Sequence, residues 1–251
     1  YPTMEDPWGK VTVWGIAEVL VSHAEGIAVG ERLYGFFPMA SHVVMRPGER
    51  SERGFTDAMP HRSELRGLYN YYARTQSEPA QLQALEDQRC IFFPLFMTGY
   101  VIADLLLDND WFGVEQILIG SASSKTGFST AAFIRAAGFQ GAIAGLTSDQ
   151  NVAFSEALGC YDRVVSYSEV VSIANEPSAY IDIAGDVEVR SRLHHSLQNN
   201  AAHTLLVGAT HWDQFGQSVD GEPLPGSEPQ VFFAPAQIEK RDGEWGRGVM
   251  M

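Results

Sequence analysis

The chain has 251 residues, 45% of them hydrophobic, enough for one large domain or two ordinary ones with a substantial core. A formal net charge of −14 repels nucleic acid and anionic membranes, although a local site can still oppose that sign and hold an anionic cofactor. Two cysteines, Cys90 and Cys160, supply neither a disulfide framework nor a Cys-rich zinc site. They fit a reducing, cytoplasmic setting in which both are buried as small apolar side chains.

The opening YPTMEDPWG is turn-rich and begins on Tyr1, which gives the expectation that further residues precede it. Residues 1–60 read as β-rich. KVTVWGIAEVLVSH and ERLYGFFPMASHVVM are branched and aromatic, and the turn EGIAVGE separates them; short strands with Gly turns suggest a small barrel or sandwich. SELRGLYNYYART reads as helix, and SEPAQLQALEDQR as loop or helix. PLFMTGYVIADLLLDN has apolar residues at helical spacing and a stop at Asn109–Asp110. The apolar stretch Cys90 to Leu107 contains Pro94, Gly99 and Asp104, and these breaks exclude it as a membrane span.

From Val114 the pattern becomes strand, helix, strand, helix. VEQILIGSA, GAIAGLTS, DRVVSY, AYIDIAG and HTLLVGAT read as strands, with QVFFAP as a last one. KTGFSTAAFIRAAG, SDQNVAFSEALG and DVEVRSRLHHSLQNN read as helices, the first two ending on Gly138 and Gly159. Strands joined by helical crossovers predict a doubly wound parallel sheet. QSVDGEPLPGSEPQ, residues 217–230, predicts an exposed loop.

ILIGSASSKTGFSTA runs from strand through turn to helix, the arrangement that cradles phosphates. A nucleoside-triphosphate P-loop requires glycine where Ser124 stands, and Asp182 is the one acidic strand end available for Mg²⁺. The dinucleotide pattern fits the context better. Ser121, Ser124 and Gly127 have the spacing of G-x-x-G-x-x-G, with serine in place of two glycines. Ser123, Lys125 and Thr126 complete the predicted cradle, Lys125 supplying a charge. A turn that merely caps its helix, without ligand, is the bland reading. The next strand tip carries Thr147 and Ser148 where NAD sites place Asp or Glu. Small neutral tips admit a 2′-phosphate, which favours NADPH over NADH; Asp149 opposes this if it faces the ribose. Gly208, Ala209 and Thr210 at the fifth strand tip complete the predicted cofactor contacts.

ILIGSASSKTG, GLTSDQNVAFSEALG, YDRVVSY, YIDIAG and HTLLVGAT together resemble the nucleotide half of the medium-chain dehydrogenase/reductase superfamily, in its zinc-free quinone oxidoreductase and enoyl reductase branch. VTVWGIAEV, GERLYGFFPMASH, PLFMTGY and VGATHWD resemble a domain-of-unknown-function family at that branch's margin. The resemblance implies an N-terminally incomplete GroES-like β-barrel over 1–95, carrying substrate, and a Rossmann domain over 96–251. It places Thr98 near the nicotinamide. It assigns Ser148 and Tyr167 to the 2′-phosphate, with Asn151 standing where relatives have Lys. AVGERLYGFF matches the barrel's Gly-Asp-Arg-Val segment, Glu31 replacing Asp. The Cys, Gly-His-Glu and four-Cys elements of zinc alcohol dehydrogenases are absent from residues 1–100. No metal is expected, and His42 and His61 read as surface or hydrogen-bonded histidines.

Hydride transfer without zinc needs positioning and a hydrogen-bond donor to the developing oxyanion. His211, at the fifth strand tip and beside Trp212, is the first candidate; Tyr34 and Tyr69 follow, with Tyr100 and Asn70 as further polar groups. The adjacent His194 and His195 read as a solvated helix face. No GxSxG is present, which argues against an α/β-hydrolase. The sequence thus predicts a zinc-independent NAD(P)H oxidoreductase for an activated alkene, quinone or ketone. A non-catalytic dinucleotide-binding or scaffold protein and a nucleoside-triphosphatase are the alternatives. The expected partners are a small-molecule substrate and a second copy of the chain, paired through QVFFAP; no nucleic acid and no membrane are expected.

Overall fold

A computed structural model describes residues 9–208 and 223–246. The chain divides into two units, Tyr1–Pro94 and Leu95–Met251.

In the first unit β1 (Thr12–Glu18), β2 (Arg32–Pro38), β3 (Pro47–Arg50), β4 (Gly54–Asp57) and β5 (Tyr71–Arg74) form one antiparallel sheet in the order β1-β2-β5-β4-β3. The described residues form no closed barrel; the sheet is open, with β1 and β3 at its edges. Only one turn of the expected helix over SELRGLYNYYART exists, α1 (Gly67–Asn70), and the tyrosine run continues as β5. The reason is packing. Tyr72 is fully buried beside Phe55 and Phe37, and its ring fills the space that a Cβ at Gly35 would take. Side chains alternate along β2. Leu33 and Phe37 join Ile27, Phe55 and Tyr72 in a core on one face, while Tyr34 and Phe36 face the other beside Trp14.

A single-turn helix, α2 (Ala80–Gln83), precedes α3 (Glu86–Asp108), which runs unbroken through Pro94 and Gly99. This corrects the reading of a stretch too interrupted to span: by length and composition α3 is long and apolar enough to cross a membrane. Its C-terminal half behaves as a core helix, with Val101, Ile102 and Leu106 fully buried. Each such side chain contributes roughly 1.5–3 kcal/mol. Asn109 ends the helix, its side-chain amide donating to the carbonyl of Leu105 (2.8 Å). Asp110, Trp111, Phe112 and Gly113 then all adopt left-handed φ, from +49° to +65°. Trp111 packs on Phe139, and Phe112 stacks on His203 with ring centres 3.7 Å apart.

The second unit is a six-stranded parallel sheet made of β6 (Gln116–Ile119), β7 (Ala142–Thr147), β8 (Arg163–Ser166), β9 (Ser178–Asp182), β10 (Ala201–Leu206) and β11 (Gln230–Val231). The order β11-β10-β9-β6-β7-β8 is the 3-2-1-4-5-6 winding of a dinucleotide fold. β6 lies at the centre with all four residues buried, as expected of a strand covered on both faces. Ile117 and Ile119 face the core under α3 and α4 (Lys125–Ala136). Leu118 faces the opposite core under α6 (Val187–Leu197). α5 (Val152–Ala157) connects β7 to β8.

QVFFAP forms only a two-residue strand before α7 (Ala234–Trp245), because Pro235 in the first turn favours helix. α7 is fastened to α3 by Arg241 and Gln237, both donating to Asp104 (2.8 Å each). Residues 223–229 of the expected loop contain no helix or strand; 217–222 lie outside the described residues. Two further expectations need correction. His194 is buried rather than solvated: its Nδ1 donates to the carbonyl of Pro225 (2.7 Å) and its Nε2 accepts from Thr204 (2.9 Å). Cys90 and Cys160 are half-buried, not fully buried.

Candidate dinucleotide site

Three strand tips converge on the serine turn. β6 is followed by Gly120, where a Cβ would come 3.0 Å from the Tyr180 hydroxyl. Ser121 follows at φ +52°, a conformation that glycine adopts at no steric cost and serine does not. Its amide donates to the Tyr167 hydroxyl at 2.8 Å. Its carbonyl accepts from the amide of Ser124 at 2.8 Å, closing the turn. Ala122 is tied to β7 through Leu146 (2.9 Å) and accepts from the Tyr161 hydroxyl (2.9 Å). Gly145 on β7 makes room for this, since a Cβ there would lie 2.8 Å from that of Ala122.

Ser124 is the N-cap of α4, its Oγ accepting from the amide of Gly127 at 3.0 Å. Gly127 cannot carry a side chain, because its Cβ would lie 2.5 Å from the Ser121 carbonyl. The predicted G-x-x-G-x-x-G positions therefore divide the work. Gly127 gives closeness, Ser124 caps, and Ser121 takes the left-handed turn with help from Tyr167. Lys125 is the first residue of α4, and Thr126 is buried, its carbonyl accepting from Ser129 and Thr130. On the α3 side, a Cβ on Gly99, next to Thr98, would overlap Ser129.

At the β7 tip the Thr147 hydroxyl lies 3.4 Å from that of Ser123, and Asn151 donates to Ser148 (3.0 Å). Asp149 is exposed, and its carboxylate accepts from the hydroxyls of Ser166 and Ser168 at the β8 tip. Those bonds, Ser166 first, hold its pKa below the ordinary carboxylate value. Burial raises the Tyr167 phenol, and Arg192 fixes the Tyr167 and Ser168 carbonyls (3.0 and 2.9 Å).

Asp182, the residue on which a triphosphate reading depended, is committed elsewhere. Its carboxylate is fully buried, pairs with Arg190 at 2.6 Å and accepts from the amide of Gly185. At the β10 tip Gly208 must be glycine, since a Cβ would overlap the Ile183 carbonyl. Ala209, Thr210, His211 and Trp212 lie outside the described residues.

The structure thus brings together Ser121 with Tyr167, Ser123 with Thr147, Ser124 with Gly127, and Ser148 with Asn151. Sequence reasoning missed Tyr161, Arg192 and the serines that engage Asp149. The pattern SYS around Tyr167 was their only visible signal. Tyr34 and Tyr69 lie in the first unit, within one aromatic cluster with Trp14 and Phe36. Asn70 is structural: it accepts from Arg62 Nε (2.8 Å) and donates to the Arg62 carbonyl (2.9 Å). Tyr100 packs edge-on against Phe133, and His42 and His61 are exposed. Among the described residues no three His, Cys, Asp or Glu side chains group as metal ligands.

This winding, with its strand–serine turn–helix, is a fold shared with solved quinone reductases and enoyl thioester reductases. The chain belongs to the family described as "Protein of unknown function (DUF2855)", which matches residues 1–251.

A candidate NADPH:quinone reductase from Mesorhizobium loti is 11% identical, with a TM-score of 0.54 over 93% of this chain and 63% of that one. The mitochondrial 2-enoyl thioester reductase Etr1p/Etr2p heterodimer from Candida tropicalis is 13% identical, with a TM-score of 0.52 over 95% and 66%. E. coli K-12 YhdH with bound NADPH is 13% identical, with a TM-score of 0.46 over 98% and 82%. The chain spans less than two thirds of the length of the first two. No curated protein matches the sequence.

Proposed function

We propose that this chain is an NADP-dependent, zinc-independent oxidoreductase acting on an activated alkene, a quinone or a ketone. The observation that carries the proposal is the Ser121–Gly127 turn. It lies at the C-terminal end of the central parallel strand, is held open by Tyr167, and leads directly into α4. A helix N-terminus and a close backbone approach suit a pyrophosphate. The neutral tip Thr147–Ser148 with Asn151 suits a 2′-phosphate, and Asp149 is turned to the β8 serines. Lys125 supplies the opposing charge, and Gly208 adds a side-chain-free edge at the β10 tip.

In this reading a bound nicotinamide supplies hydride. The residues of this chain orient the dinucleotide, hold its phosphates on the turn, and leave oxyanion stabilisation to hydrogen-bond donors rather than a metal. In this proposal residues 1–95 are the substrate unit, a GroES-like element, and 96–251 are the cofactor unit with Thr98 at the nicotinamide. The protein works in the cytoplasm as a homodimer through β11 and binds neither nucleic acid nor membrane.

The test is binding of NADPH, NADH and ATP, followed by NADPH consumption with a panel of enones and quinones. NADPH should bind most tightly, and Lys125→Ala and Gly127→Ala should weaken it. No binding of either nicotinamide cofactor by folded protein overturns the proposal. A second reading, cofactor binding without catalysis, has one observation in its favour: the Ser121 amide is already occupied by Tyr167. Binding without turnover across the panel would establish it.

A further inference from the structure

The Tyr167 hydroxyl can hold the Ser121 amide only while the β8 tip keeps its place. Tyr167 opens a short 3₁₀ turn, Tyr167–Ser172, capped by Ser166. The far end of that turn is anchored by burial, since Val170 and Ile173 lie in one core with Leu193 of α6. The near end is exposed at Ser168 and is held by polar bonds. The Ser166 and Ser168 hydroxyls donate to Asp149. Arg192 supplies the others: Nη1 donates to the Tyr167 carbonyl at 3.0 Å and Nη2 to the Ser168 carbonyl at 2.9 Å. α6, which carries Arg192, is itself locked to the sheet. Asp186 caps its first turn, accepting from the amides of Glu188 and Val189 at 3.0 Å each. Arg190 pairs with Asp182, and Leu193, the neighbour of Arg192, is fully buried.

We propose that Arg192 is a positioning residue for the serine turn, acting through Tyr167: it pins the β8 tip where the tyrosine hydroxyl holds Ser121 in its left-handed conformation. Ser121 at φ +52° is strained for a residue with a Cβ. Without its acceptor the turn relaxes to other conformations, and a ligand that needs this one must order it again. A planar guanidinium spans two successive carbonyls with two fixed N–H groups; an ammonium has the charge but not the fork. The same exposed arginine, in a chain of net charge −14, also offers plain attraction to an anion, so charge and geometry must be told apart. The inference deepens the oxidoreductase reading and rests on it for the identity of the ligand, though not for the geometry of the turn.

The test compares the full chain with Arg192→Ala, Arg192→Lys, Tyr167→Phe and the double variant Arg192→Ala/Tyr167→Phe. Hydrogen exchange of the Ser121 amide, followed by ¹⁵N NMR, reads the turn without any ligand. The amide of Leu118, in the buried central strand, is the reference for overall stability. In both Arg192 variants Ser121 exchange should quicken about fivefold, the effect of one lost hydrogen bond, while Leu118 keeps its rate. Tyr167→Phe should quicken it at least as much, and Arg192→Ala should then add nothing. The Kd for NADPH should rise about fivefold in the same variants, again without adding to Tyr167→Phe. A Ser121 rate that is unchanged in Arg192→Ala, that moves together with Leu118, or that Arg192→Lys restores overturns the positioning role. NADPH binding weakened by Arg192→Ala but not by Arg192→Lys is a charge effect and overturns it too. If Tyr167→Phe fails to fold, the two Arg192 variants and the Leu118 reference still decide. Ser121 exchange that responds in a protein binding neither NADPH nor NADH leaves this inference standing and removes the oxidoreductase; tight NADPH binding indifferent to Arg192 does the reverse.

Discussion

The Tyr167 hydroxyl stands 2.8 Å from the amide of Ser121 and accepts its hydrogen, joining the β8 tip to the turn after β6. A serine at positive φ is thereby held in a conformation that glycine adopts at no steric cost. Removing the hydroxyl leaves that amide without its acceptor. Tyr167→Phe should destabilise the protein by about 1–2 kcal/mol, while Ser121→Gly should be neutral or stabilising by up to about 1 kcal/mol. Urea titrations of both variants and of the double variant check this. An additive double variant would show that the two residues do not act together.

Asp182 and Arg190 form an ion pair with almost no exposure on either side. Arg190→Met should cost about 3–5 kcal/mol at pH 7, because a buried carboxylate loses its counter-charge. Burial is the main cause of the raised Asp182 pKa. A carboxyl raised in the folded state is least costly when protonated, so the penalty in Arg190→Met should shrink as pH falls toward 4. Denaturation midpoints from pH 7 to 4, compared with wild type, test the sign. A penalty independent of pH would remove Asp182 as its source.

His194 and His203 are both buried, and burial lowers the pKa of each. The folded state keeps them neutral while the unfolded chain takes up protons below about pH 6.5. Stability should therefore fall as pH drops from 7 to 5. His194→Gln should reduce the proton uptake on unfolding by about one, and stability measured across that range reads the change. An unaltered pH slope in the variant would mean that His194 titrates alike in both states.

Asp149 sets a negative charge one residue beyond Ser148, at a tip proposed to receive a phosphate. Asp149→Asn should raise the preference for NADPH over NADH on the order of fivefold at low salt, less at high salt. Fluorescence titration with each cofactor at two ionic strengths measures it. An unchanged ratio would place the carboxylate outside the reach of the 2′-phosphate.

The second unit was legible in the sequence because its strands are buried runs between glycine turns: ILI, AIAGLT and YID announce a sheet covered on both faces. The serine turn was visible too, but not what holds it, since Tyr167 lies 46 residues from Ser121. His194 was misread for a related reason. A helical repeat shows which side chains share a face; it does not show that Thr204 and Pro225 come to meet one of them. Tyr71–Arg74 reads as helix by its neighbours, and only the hole at Gly35 makes it strand. Pro94, Gly99 and Asp104 counted against Cys90 to Leu107 as a membrane span, yet one backbone bond lost at Pro94 does not divide the 23 residues of α3.

The turn Asp110–Gly113 has a stereochemical consequence. Three L-residues in succession occupy the backbone region of their mirror images, at a cost of roughly 1–2 kcal/mol each. What holds them is the seating of two rings, Trp111 against Phe139 and Phe112 against His203. For these few residues the protein has the handedness of a D-peptide, so a D-amino acid introduced there by chemical synthesis should relieve the backbone, whereas the same exchange within α4 should break its helix.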